Sequence, residues 1–194
     1  MKTASVALAT MVLAAASAAA YAQPLSKATL LGQLDADQDG KITRQETAAA
    51  RERIAARIHA TAQVSIAHVS VAEIDAINIL QASLLAMRRA IAGLGEADFA
   101  LIDGNRPPPD LPCRAEAVVK GDATSLSIAA ASIVAKVARD AIMVDLAQLY
   151  PPYGWNQNAG YPTPRHLQAL LDFGVTPWYR RSFRPVHNIL YQDI

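Results

Sequence analysis

The chain contains a single cysteine, Cys113, which excludes an internal disulfide framework and a thiolate zinc site. It lacks an excess of either charge. Eighteen Lys and Arg stand against 17 Asp and Glu, for a formal charge of +1. No global polycationic signature for nucleic acid is present, so any such binding must come from a local patch. Charged residues are sparse at 18% while hydrophobic ones reach 52%, which excludes an intrinsically disordered chain. A long, strongly apolar run is also missing. The mean hydropathy of +0.15 is concentrated partly at the N-terminus, where Ala4 to Ala20 is broken only by Ser5, Thr10 and Ser17. That stretch is short and alanine-rich for a membrane span of ~20 residues. The 194 residues suffice for one well-buried domain, or for a domain with a small module.

The front of the chain carries two signals. Met1-Lys2-Thr3 is a basic start, the apolar stretch follows, and Ala20-Tyr21-Ala22 is an A-x-A site before Gln23. This is the tripartite form of a secretory signal peptide, expected at residues 1–22, with no stable membrane span left after cleavage. Asp35-Ala36-Asp37-Gln38-Asp39-Gly40-Lys41-Ile42-Thr43-Arg44-Gln45-Glu46 then sets oxygen donors at positions 1, 3, 5, 7, 9 and 12 of a loop. Asp35, Asp37 and Asp39 offer carboxylates, Lys41 its carbonyl, Thr43 a hydroxyl or a water, and Glu46 a bidentate carboxylate. Gly40 supplies the turn and Ile42 the apolar plug. The segment resembles an EF-hand and predicts Ca2+ binding, with Ser26 to Leu34 as entering helix and Thr43 to about Ala60 as exiting helix. An acidic, solvated loop is the alternative.

Beyond the loop the pattern alternates. Val64, Ile66 and His68 suit a strand. Ser70-Val71-Ala72-Glu73 is a capping box that opens a helix reaching Gly93 and Gly95. Phe99 to Ile102 and Ala117 to Val119 read as buried strands, each with an acid at its C-terminal end, Asp103 and Asp122. A long helix from about Thr124 to Leu149 carries a polar stripe at Ser132, Lys136 and Asp140 on an otherwise apolar surface. The stripe is either a solvent-facing side or a set of groups that needs partners. Thr163-Pro164 opens a helix that ends at Gly174. Strand–helix alternation predicts an α/β domain. An Asp beside Gly is often only a turn residue, and His166 and His187 lie in no metal spacing, so core or surface roles are expected for them.

Several strings belong together: Glu73-Ile74-Asp75, Asn78-Ile79-Leu80-Gln81-Ala82, Leu101-Ile102-Asp103-Gly104-Asn105, Val118-Val119-Lys120-Gly121-Asp122, Ala130-Ala131-Ser132-Ile133-Val134-Ala135-Lys136, Gly160-Tyr161-Pro162-Thr163 and Arg180-Arg181-Ser182-Phe183-Arg184-Pro185. In this order they resemble ribonuclease HII, from about Thr47 to Asn188, roughly three quarters of the chain. The resemblance implies a ribonuclease H-like mixed sheet with flanking helices. It also implies a hydrolase that cuts RNA in RNA–DNA hybrids, or duplex DNA at an embedded ribonucleotide, with Mg2+ or Mn2+ held by acids. By position in these motifs, Asp103 and Asp122 are the implied metal ligands, with Asp140 a further acid near the site. Tyr161 is the tyrosine implied to stack on the sugar at the RNA–DNA junction, and Ser132, Lys136, Arg180 and Arg181 the phosphate contacts.

The family's adjacent Asp-Glu pair and its Gly-Arg-Gly turn have no match in this sequence. Residues 47–194 therefore read as an N-terminally truncated nuclease domain, preceded by a small helical EF-hand module at 23–46 in what looks like a natural or artificial fusion. Two functions follow. One is a hydrolase of the ribonuclease HII type with impaired activity. The other is an exported calcium-binding protein carrying a catalytically dead nuclease remnant. They imply different compartments, the cytoplasm for the first and the periplasm or exterior for the second. The sequence leaves the oligomeric state open.

Overall fold

The protein is described from a computed structural model that covers residue 37 and residues 43–191. The export segment and the loop ligands Asp35, Asp39 and Lys41 lie outside the described residues. Helix α1 (Arg44–Thr61) begins where the loop pattern ends. Thr43 is its N-cap: the Thr43 hydroxyl accepts the Glu46 amide at 3.2 Å, and the Glu46 carboxylate accepts the Thr43 amide at 2.8 Å. The expected exiting helix is thus present. Residues 64–69, expected as a strand, have no strand assignment and pair with no strand among the described residues. Arg89 takes the His68 carbonyl at 3.2 Å, and Val64 and Ile66 pack with Ala55 and Val134 instead of lining a pleated face.

Helix α2 (Val71–Gly93) opens at the Ser70–Glu73 capping box as expected. It is broken at Asn78, which adopts φ 65 and ψ 165. The Asn78 side chain accepts the amides of Leu80 at 3.0 Å and Gln81 at 3.2 Å. Asn78 therefore caps a second helical segment inside the first. Strands β1 (Phe99–Asp103) and β2 (Arg114–Val118) follow, paired in parallel with Asp103 opposite Val118. They are the strands of the sheet among the described residues, so the mixed order of the expected sheet is not seen there. β2 starts three residues and ends one residue before the run Ala117 to Val119 that its apolar letters suggested.

A short helix α3 (Gly121–Thr124) leads into α4 (Leu126–Leu149), capped by Ser125. Gly121 is buried, and a Cβ there would stand 2.4 Å from Ile128 Cδ1, so only glycine lets α3 turn against α4. After a 3-10 turn come α5 (Trp155–Asn158), α6 (Pro164–Phe173) and α7 (Arg184–Leu190). Trp155, Tyr153, Tyr179, Leu170 and Val186 form an aromatic-rich core against the end of α4. A second core buries Ile91, Ala100 and Ile102 beneath the sheet. Among the described residues no helix is long and apolar enough to cross a membrane.

Candidate functional site

Two groups of predicted residues stand out, Asp103 and Asp122 at the strand ends and Lys136, Tyr161 and Arg180 around a cavity. Asp103 ends β1 with its carboxylate exposed, and its Oδ1 accepts the Gly121 amide at 2.9 Å. The Gly104 amide bonds the Val118 carbonyl at 3.1 Å, extending the strand pairing past the last residue of β1. Lys120, in left-handed conformation at φ 54, makes the turn that presents Gly121. Asp122 is the next residue, exposed on the first turn of α3. The sheet ends thus bring the Asp103 carboxylate against the backbone that carries Asp122. Asp140 pairs with Lys136 Nζ at 2.6 Å and lies 3.8 Å from Arg139. Among the described residues no three or more His, Cys, Asp or Glu converge as a metal site.

The second group surrounds a cavity of about 390 Å³. Lys136 and Arg139 reach it from α4, Tyr161 from the loop after α5, and Arg180 from the C-terminal tail, over an apolar floor that includes Trp155 and Trp178. Arg139 donates to the Ala159 carbonyl at 2.6 Å and lies 5.8 Å above the Tyr161 ring, so one guanidinium ties α4 to that loop. The Arg180 guanidinium stacks 5.4 Å over Phe183. Ser132 and Arg181 do not line the cavity. The Ser132 hydroxyl donates back to the Ala129 carbonyl at 2.9 Å, an intrahelical bond.

Two residues that the sequence did not assign to a site organise this cavity, Asp75 and His166, and His166 takes the core place expected for it. Asp75 on α2 accepts the amides of Arg181 and Ser182, both at 2.9 Å, and the Ser182 hydroxyl at 2.6 Å. Burial pushes its carboxyl up, but these donors and the nearby Arg180 outweigh it and hold the group below the ordinary 3.8. The turn beside Arg180 is therefore fastened to α2. His166 on α6 is 4% exposed. Its Nδ1 lies 2.8 Å from the Tyr161 carbonyl, its Nε2 lies 2.5 Å from the Tyr179 hydroxyl, and Trp155 donates to Nε2 at 3.2 Å. Burial pushes the Tyr179 phenol well above its usual range. A clue to Asp75 lay in its place within the Glu-Ile-Asp string. His166 had no motif signal beyond a position three residues after the Thr163 cap.

The family profile for ribonuclease HII matches residues 10–188. The chain belongs to the ribonuclease HII family. The match begins well upstream of Thr47, where the resemblance read from motifs starts, so the likeness is longer than the quoted strings conveyed. A curated ribonuclease HII from Cereibacter sphaeroides (strain ATCC 17029 / ATH 2.4.9) is 66% identical over 152 residues, covering 78% of this chain and 72% of the relative. One from Ruegeria pomeroyi is 63% identical over 152 residues, covering 78% and 65%. The crystal structure of the ribonuclease H2 from Pyrococcus horikoshii OT3 superposes with a TM-score of 0.66 at 21% identity, covering 86% of this chain and 85% of that one. That likeness establishes the ribonuclease H-like α/β fold for this ribonuclease HII relative.

Proposed function

We propose that this chain is a metal-dependent hydrolase that binds RNA–DNA hybrids, or duplex DNA with an embedded ribonucleotide, and cuts the RNA strand. The observation that carries the reading is the meeting of Lys136, Tyr161 and Arg180 at one cavity. They come from α4, a loop and the tail, and each was singled out for contact with nucleic acid. Two cations suit phosphates, and an exposed tyrosine suits a sugar or base face.

Mg2+ commonly binds through one or two carboxylates, keeps several waters and takes the rest of its shell from substrate phosphates. Asp103 and Asp122 fit that demand. The Gly121 amide occupies Asp103 Oδ1 and orients the carboxylate, leaving Oδ2 for a cation. A divalent ion held there would activate a water and stabilise the leaving oxygen. Asp103 and Asp122 hold the charge, Tyr161 and Arg180 position the strand, and Asp140 fixes Lys136 on the face of α4. The sequence has no adjacent Asp-Glu pair, so fewer acids support the ion and we infer slow hydrolysis. The test is cleavage of a duplex with one ribonucleotide in Mg2+ or Mn2+. Cleavage lost in Asp103→Ala supports the reading; none above that control sinks it.

A second reading comes from the loop pattern of residues 35–46, whose described end, Thr43 and Glu46, forms the cap of α1. Thr43 as N-cap and Glu46 three residues later occupy positions 9 and 12 of the loop pattern, and the helix begins between them. We propose as the alternative that residues 35–46 bind Ca2+ and residues 1–22 direct export, with the nuclease portion a catalytically dead remnant. Calorimetric titration decides the calcium part: no heat at millimolar Ca2+, or unchanged heat in Glu46→Gln, counts against it.

A further inference from the structure

His166 is more than a satisfied core histidine. A carbonyl oxygen can only accept, so the imidazole nitrogen facing the Tyr161 carbonyl at 2.8 Å must carry a proton. An indole N–H can only donate, so the nitrogen facing Trp155 must be bare. The two constraints agree on one tautomer, Nδ1 protonated and Nε2 accepting, with the Tyr179 oxygen 2.5 Å from Nε2.

The consequence lies at Tyr161. Its ring is 63% exposed at the mouth of the cavity, so little packing holds it. Its backbone is held instead. The Tyr161 amide donates to the Asn158 carbonyl at 2.8 Å, and its carbonyl accepts both the Thr163 amide at 2.8 Å and His166 Nδ1–H. The next residue is Pro162, which has no amide to contribute. On the N-terminal side Ala159 is strained at φ 49, with its carbonyl taken by Arg139. The loop is therefore pinned at two carbonyls, Ala159 to α4 and Tyr161 to α6, and the ring is presented between them.

We propose that His166 is a positioning residue for substrate: its Nδ1–H bond to the Tyr161 carbonyl sets the angle at which the Tyr161 ring meets the nucleic acid. The inference rests on the nuclease reading above, and it names the group that gives the stacking tyrosine its place.

Two substitutions separate positioning from packing. In His166→Asn the amide nitrogen stands where Nδ1 stood and can still donate to Tyr161. In His166→Gln the amide reaches only toward Trp155 and Tyr179. For a duplex with one ribonucleotide, H166Q is expected to raise KM about tenfold, the worth of one lost hydrogen bond, with kcat within about twofold. H166N is expected to hold both values within about twofold of the unaltered chain. In a Tyr161→Ala background H166Q should raise KM no further. Equal KM for H166N and H166Q would overturn the proposal and leave His166 a packing residue. A readout free of activity is imidazole 15N NMR of the unaltered chain, where a bare Nδ1 overturns the proposal outright. A protonated Nδ1, with a Tyr161 carbonyl 13C shift that moves in H166Q and not in H166N, supports it. If the unaltered chain neither binds nor cuts the duplex, the nuclease reading fails and the substrate role falls with it. The NMR result then still shows whether His166 holds the loop.

Discussion

Gly121 supplies the amide that orients Asp103, and its surroundings leave no space for a side chain. A Cβ there would meet Ile128 Cδ1 at 2.4 Å, and Ile128 Cγ2 and Val118 Cβ at 3.3 Å each. Ile128 is 5% exposed, so it has no solvent to swing into. Forcing a methyl into so tight a place costs about 1–3 kcal/mol, and Gly121→Ala is expected to lose that much. Ile128→Val deletes the offending Cδ1 and by itself costs about 0.5–1.5 kcal/mol. In the double variant the worst clash is absent, so the two losses should not add. A favourable coupling of about 1 kcal/mol or more is expected. Urea denaturation of the four proteins measures it, and thermal melts give a parallel scale of about 2–4 °C per kcal/mol for a chain of this size. Strict additivity of the two single losses would refute the packing argument.

Three further outcomes follow. Asp75→Asn removes the charge that gathers three donors from the tail and should cost about 1 kcal/mol at neutral pH after allowance for solvent. Because the folded-state pKa of Asp75 lies below 3.8, its contribution is complete above that value and lost as pH falls through the lower one. Denaturation against pH should therefore show the D75N deficit closing in acid; a deficit independent of pH contradicts the charge argument. Ala159→Gly relieves a left-handed alanine at φ 49 and is expected to stabilise by about 0.5–1 kcal/mol, read as a raised Tm. Arg180→Ala should weaken duplex binding evenly across sequences and reduce the slope of log K against log salt by about 0.9, the loss of one phosphate contact. An unchanged slope removes Arg180 from the interface.

Most helices were legible in the sequence because their start signals are local. Ser70/Glu73 and Thr163-Pro164 each cap the helix expected from them, whereas Thr43 and Glu46, read as loop ligands, form a capping box for the first helix. Apolar letters located β1, whose Ala100 and Ile102 are buried on one face. They located β2 less well, because its own residues Arg114 and Glu116 are exposed and carry charge. The break at Asn78 was also written locally, as Asn followed three residues later by Gln81, but the continuous apolar stripe on either side masked it. At the candidate site, residue types and motif order picked out Lys136, Tyr161 and Arg180, which the fold does bring together. The links of Asp75 and His166 were not legible because their partners lie far along the chain or are backbone atoms. Arg181 and Ser182 are more than a hundred positions from Asp75, and the Tyr161 carbonyl carries no letter in a sequence. Neither link has a spacing that a linear reading could find.

The central claim is that this fold holds a cation at Asp103 and Asp122 in order to cut RNA paired with DNA. The measurement that tests it most directly sets a duplex with one embedded ribonucleotide beside the same duplex made wholly of DNA. Each is incubated in Mg2+ or Mn2+ with the unaltered chain and with Asp103→Ala. The account predicts slow, metal-dependent cleavage of the ribonucleotide-containing strand alone, abolished in the variant. Equal cleavage of both duplexes, or none above the Asp103→Ala level, would contradict it.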